Sequence, residues 1–127
     1  MKHTDILIID DEKKFADMLS KRLSLRGVSC DVCYDGSSGL EWIKKQPRAA
    51  SLILLDLKLP DIYGIQVMEE IKKINDTLPV VIVTGHGTED DKKECMTLGA
   101  HGFANKPIQI ETIIQLLNDI KGETECK

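Results

Sequence analysis

Three short apolar runs recur along the chain, Ile6 to Ile9, Leu52 to Leu55 and Val80 to Val83. Each has the length and β-branched content of a strand buried on both faces. The first runs into Asp10-Asp11, the second into Asp56 and the third into Thr84-Gly85. Val28 to Tyr34 and Ala100 to Ala104 are weaker strand candidates, and the latter leads to Lys106-Pro107. Between the runs lie helical stripes at 3,4 spacing: Phe15, Met18, Leu19 and Leu23, then Val67, Met68, Ile71 and Ile74, then Ile110, Ile113, Ile114 and Leu117. Gly39 to Lys45 and Glu89 to Leu98 are less clearly patterned but leave room for helices, and Gly27, Pro79 and Gly99 punctuate the ends.

The result is five β-then-α units, which predicts an α/β fold: a five-stranded parallel sheet with helices on both faces and right-handed crossovers. In such sheets ligands bind outside the carboxyl ends of the strands, where the acids, Thr84 and Lys106 all fall.

Composition narrows the class. With 127 residues, 42% hydrophobic and 30% charged, the chain suits one domain, read as residues 1–122 with a polar C-terminal tail at residues 123–127. Aromatics at 4% leave Ile, Leu and Val to build the core and argue against an aromatic ligand cage. A net charge of -4, with Lys and Arg scattered among acids, offers no basic stripe for direct nucleic-acid binding. The first apolar run is too short for a signal peptide and no segment is long enough to cross a bilayer, so a cytoplasmic location with reduced thiols and no membrane partner is expected. Cys30 and Cys33 have zinc-like C-x2-C spacing, but on a strand residues three apart face opposite ways and cannot converge on one metal. Cys95 and Cys126 lack ligand spacing, so structural thiols are expected.

Asp10, Asp11 and Asp56 would bring three carboxylates to neighbouring strand ends, where repulsion calls for a cation. Magnesium suits such a site, because it takes oxygen ligands and is commonly held by one or two carboxylates plus phosphate. Asp56 could also act as a nucleophile and form an aspartyl-phosphate, with Lys106 as a point charge and Thr84 as a hydroxyl donor to the transferring oxygens. Singly, each residue has a plainer reading: Asp10 or Asp11 as a helix N-cap, Thr84 as a turn residue, Lys106 as a solvated charge. Four strand ends carrying acid pair, acid, hydroxyl and lysine on one edge make those readings coincidences.

These residues resemble the receiver domains of two-component response regulators from about Asp5 to Ile120. The likeness is carried by the acid pair in ILIIDDE, the acceptor in LILLDLKLPDIYG, the hydroxyl and small residue in VVIVTGHG, and the lysine-proline in GAHGFANKPI. The resemblance implies a doubly wound, flavodoxin-like sheet of order 2-1-3-4-5 and phosphorylation of Asp56 by a sensor histidine kinase or phosphotransfer protein. It implies Mg2+ held by Asp11, Asp56 and the Lys58 backbone carbonyl, with Asp10 acting through a metal-bound water. It further implies that Lys106 pairs with the acceptor or its phosphate, that Thr84 moves toward the phosphoryl group, and that the peptide before Pro107 is cis. Phe103 matches the family's switching aromatic but lacks the hydroxyl many members carry, and a plain core role is its alternative. Lys58 and His86 would overhang the aspartyl-phosphate and set its lifetime, or else be solvated loop residues. Such a domain is a signalling switch that promotes its own phosphotransfer and dephosphorylation, read by an output domain or protein through roughly residues 89–120.

Three other readings compete. A haloacid dehalogenase-type phosphatase has a second acid two residues after its nucleophile, where Lys58 stands here. A flavin carrier of the same architecture needs a phosphate loop after the first strand, where Asp10-Asp11-Glu12 would repel the phosphate. A receiver that only docks partners would not need all five site residues.

Overall fold

The computed structural model describes residues 3–125. Strands and helices alternate along the chain: β1 (Thr4–Ile9), α1 (Lys13–Leu25), β2 (Cys30–Cys33), α2 (Gly36–Lys45), β3 (Ala50–Leu55), α3 (Gly64–Ile74), β4 (Val80–Thr84), α4 (Glu89–Thr97), β5 (Gly102–Asn105) and α5 (Ile110–Glu125). The strands pair in parallel, as the residue pattern predicts, in the order β2-β1-β3-β4-β5 that the family resemblance implies.

Because side chains on a strand alternate, each central strand feeds two cores. On one face Leu7, Ile9, Ile53, Leu55, Val80 and Ile82 pack against α2 and α3, with Cys95 of α4 at the margin. On the other, Ile6, Ile8, Leu52, Leu54, Val81 and Val83 pack against Ala16, Leu19 and Leu23 of α1 and Ile110, Ile113 and Leu117 of α5. Each fully buried Leu or Ile contributes about 1.5–3 kcal/mol. Cys33 packs against the first core and Cys30 against the second, so the C-x2-C pair is divided by the sheet. Cys30, Cys33 and Cys95 are free thiols, and Cys126 lies outside the described residues.

Several boundaries differ from the apolar pattern. The buried row of α1 is Ala16, Leu19 and Leu23, while Met18 is 37% exposed and Phe15 only partly buried. Ala16 lies three residues before Leu19 on the same helix face, and its small side chain lets the helix approach the sheet. The edge strands are shorter than their apolar stretches because flanking residues are drawn into helix caps. After α1, Gly27 takes φ +80°, its N–H reaches the Ser24 carbonyl at 3.0 Å, and the Val28 N–H reaches the Leu23 carbonyl at 3.0 Å. After α4, Gly99 at φ +101° and Ala100 close onto Met96 and Cys95 in the same manner. Helix α5 continues to Glu125, into the stretch expected as a polar tail, and Lys127 lies outside the described residues. Among the described residues no helix is long and apolar enough to cross a membrane.

Helix α4 is the least anchored of the helices. It starts on a capping box, Thr88 with Asp91, has three acids in its first turn, and buries Cys95. Its definition comes from termini and charge more than from an apolar stripe.

The positive φ of Gly27, with nothing within 4 Å of where a methyl on its Cα would stand, isolates backbone strain from packing. Gly27→Ala is expected to destabilise by about 1 kcal/mol through that strain alone. Gly122→Ala, equally unobstructed but within α5, is expected to stabilise by up to about 1 kcal/mol. Urea unfolding midpoints check both signs.

Candidate functional site

The acids stand where β1 and β3 end side by side. Ile9 is paired with Leu55, so the next residues, Asp10 and Asp56, leave the sheet together, and the Asp56 N–H donates to the Ile9 carbonyl at 3.0 Å. Asp10 and Asp56 are 3% and 5% exposed, whereas Asp11 faces solvent. Carboxylate oxygens of all three lie within 4.8 Å of one another. Asp10 does not cap α1: its Oδ1 accepts the Glu12 N–H at 2.9 Å, and Glu12 is the N-cap, without a side-chain capping bond.

Thr84 ends β4 and is 1% exposed. Lys106 follows β5 directly, its N–H bonded to the Thr84 carbonyl at 2.8 Å, and its peptide bond to Pro107 is cis, as expected. Its Nζ lies 2.9 Å from Asp10 Oδ2 and 3.4 Å from Asp56 Oδ2, and it also contacts Glu12 Oε1. The Phe15 ring lies 4.5 Å below the same ammonium and covers it from one side. Lys58 and His86 are exposed at the mouth of the cleft, which Asp11, Asp56, Thr84 and Lys106 also line. The Lys58 N–H donates to Asp56 Oδ1 at 3.3 Å. Phe103 is half-buried against the first core. A methyl on Gly87 would lie 2.5 Å from the Phe103 ring and 2.8 Å from Thr84 Cγ2, so ring, threonine and loop are in close contact.

Two acids outside the expected set belong to this arrangement. Glu12 reaches Lys106 across the cleft mouth, and the lysine's hydrogen bond and charge lower its pKa. Asp61, in the loop after β3, accepts backbone N–H groups of Gly36 and Ser37 at the start of α2. The Ser37 hydroxyl and these backbone donors hold its pKa down to about 2.

The electrostatics leave the cluster short of positive charge. At an effective dielectric near 20, two ionised carboxylates no more than 4.8 Å apart repel by at least roughly 3 kcal/mol. One lysine serves Asp10, Asp56 and Glu12 together. Burial would lower the pKa of Lys106, but hydrogen bonds and charge from Glu12, Asp10 and Asp56 raise it instead. Asp10 is pushed up to about 6, first by burial and then by the Asp56 charge, against the pull of Lys106 and the Glu12 N–H. An all-oxygen donor set with one solvent-facing member fits magnesium, which keeps part of its water shell.

Because Asp10 binds its proton more tightly when folded than at its ordinary 3.8, its ionisation opposes folding. Its contribution to stability should fall as pH rises from about 4 to about 6 and stay reduced above that range, while Glu12 and Asp61, whose pKa values are lowered, contribute in the opposite sense. Asp10→Asn is therefore expected to raise stability at pH 7.5 in EDTA by on the order of 1–3 kcal/mol. The gain should vanish near pH 4 and shrink on adding Mg2+, as read by thermal melts of both proteins.

Comparison with known proteins gives the family. The sequence profile described as response regulator receiver domain matches residues 6–118. The chain is 34% identical over 117 residues to the regulatory protein VanRc of Enterococcus gallinarum, covering 91% of this chain and 49% of that protein. It is 36% identical over 111 residues to the response regulator ArlR of Staphylococcus saprophyticus, covering 87% and 49%. It thus spans about half the length of these curated relatives. Among solved structures, the receiver domain of NtrX from Brucella abortus is 31% identical with a TM-score of 0.82, covering 91% of this chain and 97% of that one. A receiver domain from Clostridium thermocellum superposes with a TM-score of 0.89 at 26% identity, covering 97% and 98%. With the acid cluster, hydroxyl and lysine on the ends of a 2-1-3-4-5 sheet, this chain belongs to the response regulator receiver domain family.

Proposed function

We propose that the chain is a phosphorylatable switch whose acceptor is Asp56. The observation that carries this reading is the near-burial of Asp56 at the floor of an open cleft, with Lys106 Nζ at 3.4 Å and two further carboxylates beside it. An Asp56 carboxylate oxygen attacks the phosphorus of a phosphohistidine on a sensor kinase or phosphotransfer protein. The P–N bond breaks, the imidazole leaves with its electron pair, and an aspartyl-phosphate forms. Magnesium, held by Asp11, Asp56 and the Lys58 carbonyl with Asp10 acting through water, would offset charge on the phosphoryl oxygens. Lys106 supplies a fixed positive charge to those oxygens, and Thr84, moving toward them, supplies a hydroxyl donor. The same groups serve the later attack of water, so the domain promotes its own phosphotransfer and dephosphorylation.

The signal leaves through residues 89–120, where the sparse anchoring of α4 makes a shift inexpensive. Contact of Phe103 with Gly87 in the loop after Thr84 supports a coupled movement of ring and hydroxyl, made here without a ring hydroxyl. The reader of that face is an output domain or a separate protein. Lys58 and His86, both at the mouth, obstruct the attacking water and lengthen the life of the phosphoryl group.

Incubation with acetyl phosphate and Mg2+ should add one phosphoryl group by intact mass, and omission of Mg2+ or the Asp56→Asn substitution should abolish the gain. No gain with either acetyl phosphate or a phosphorylated kinase would leave a docking-only receiver. Replacing both Lys58 and His86 by Ala should speed phosphate loss several-fold, and an unchanged decay would remove them from lifetime control.

A further inference from the structure

The loop between β3 and α3, residues 56–63, carries the acceptor at one end and is tied down at three places. At its start, the Lys58 N–H donates to Asp56 Oδ1 at 3.3 Å, so the loop backbone touches the acceptor carboxylate directly. At its end, the Gly64 N–H donates to the Leu57 carbonyl at 2.8 Å, and a methyl on Gly64 would stand 2.5 Å from the Asp56 carbonyl oxygen and the Leu57 Cα. Between them, Asp61 reaches a different element. Its Oδ1 accepts from Gly36 N–H at 2.8 Å and Ile62 N–H at 2.9 Å, and its Oδ2 accepts from Ser37 N–H at 2.9 Å. The approach is close enough that a methyl on Gly36 would lie 3.2 Å from Ile62 Cβ and 3.3 Å from Asp61 Oδ1.

Helix α2 already has its own cap, since Asp35 Oδ1 accepts the Ser38 N–H at 2.7 Å. Asp35 precedes the helix and fastens it to itself, whereas Asp61 comes from 25 residues away and fastens the helix to the loop. The two carboxylates therefore divide one helix end between a local task and a long-range one.

We propose that Asp61 is a positioning residue for phosphoryl transfer: by clamping the loop to α2 it fixes the Lys58 backbone against Asp56. The inference rests on the Asp56 reading above. Loss of the clamp frees the loop between Lys58 and Gly64, and the Lys58 backbone no longer holds one orientation toward the acceptor. Groups that orient a metal site from behind are typically worth roughly 10- to 100-fold in affinity.

The test compares the wild-type chain, Asp61→Ala, Asp61→Asn and Asp35→Ala at a temperature where circular dichroism shows all four folded. Mg2+ dissociation constants are measured by calorimetry, and acetyl phosphate uptake is timed by intact mass. Asp61→Ala should weaken Mg2+ binding and slow uptake by roughly tenfold. Asp61→Asn, whose Oδ1 can still accept from Gly36 and Ile62, should fall between it and wild type. Asp35→Ala, which weakens the same helix end without releasing the loop, should lower the melting temperature yet keep Mg2+ affinity and uptake near wild type. Wild-type behaviour of Asp61→Ala overturns the clamp, as does an equal loss in Asp35→Ala. A wild type that takes up neither Mg2+ nor phosphate overturns the Asp56 reading itself.

Discussion

A single ammonium group, that of Lys106, stands against Asp10, Asp56 and Glu12 at the carboxyl edge of the sheet, and the other site residues are placed around it. Strand order accomplishes this. β1 and β3 are neighbours, so Asp10 and Asp56 emerge together, and β4 and β5 follow on the same side, carrying Thr84 and Lys106. Lys106 bridges the intervening strand with its long side chain, and the Phe15 ring shields it from water on the way. A shorter cation could not reach across β4, and an unpaired one could not sit at 11% exposure without cost.

That arrangement is rigid below and loose at one side. The central strands are sealed between two apolar cores, while α4 adds Cys95 and a capped N-terminus. Stability in a folded chain is unevenly distributed, and segments with few buried contacts open first. Here the weakly held helix follows the strand that ends in Thr84, so a disturbance at that hydroxyl meets the part of the fold least able to resist it.

The strand ends were legible in the chain because an apolar run closed by a polar residue is a local pattern, and three clear runs with two weaker ones determine one edge. Helix faces were less so. Met18 is apolar but exposed, and Ala16 is small but buried, because packing distance to the sheet decides the matter and hydrophobicity does not. Glu12 and Asp61 carried no signal of the partners they reach. Glu12 meets Lys106 across 94 positions and Asp61 meets Gly36 across 25, and each reads locally as an ordinary loop acid. Contacts made only after folding leave no periodicity behind.

The alternation of β1 has a consequence for how the domain tolerates change. Ile6 and Ile8 serve one core, Leu7 and Ile9 the other, and Asp10 then turns inward at the strand's end. The strand thus works as a ruler graduated in single residues. A point substitution within it trims one side chain, but a one-residue deletion inverts every later graduation, sends each apolar side chain to the opposite layer and turns the inner carboxylate outward. Length in this segment therefore matters more than composition: exchanges among Ile, Leu and Val keep every side chain in its own layer, while removing one residue between Thr4 and Asp10 moves all that follow.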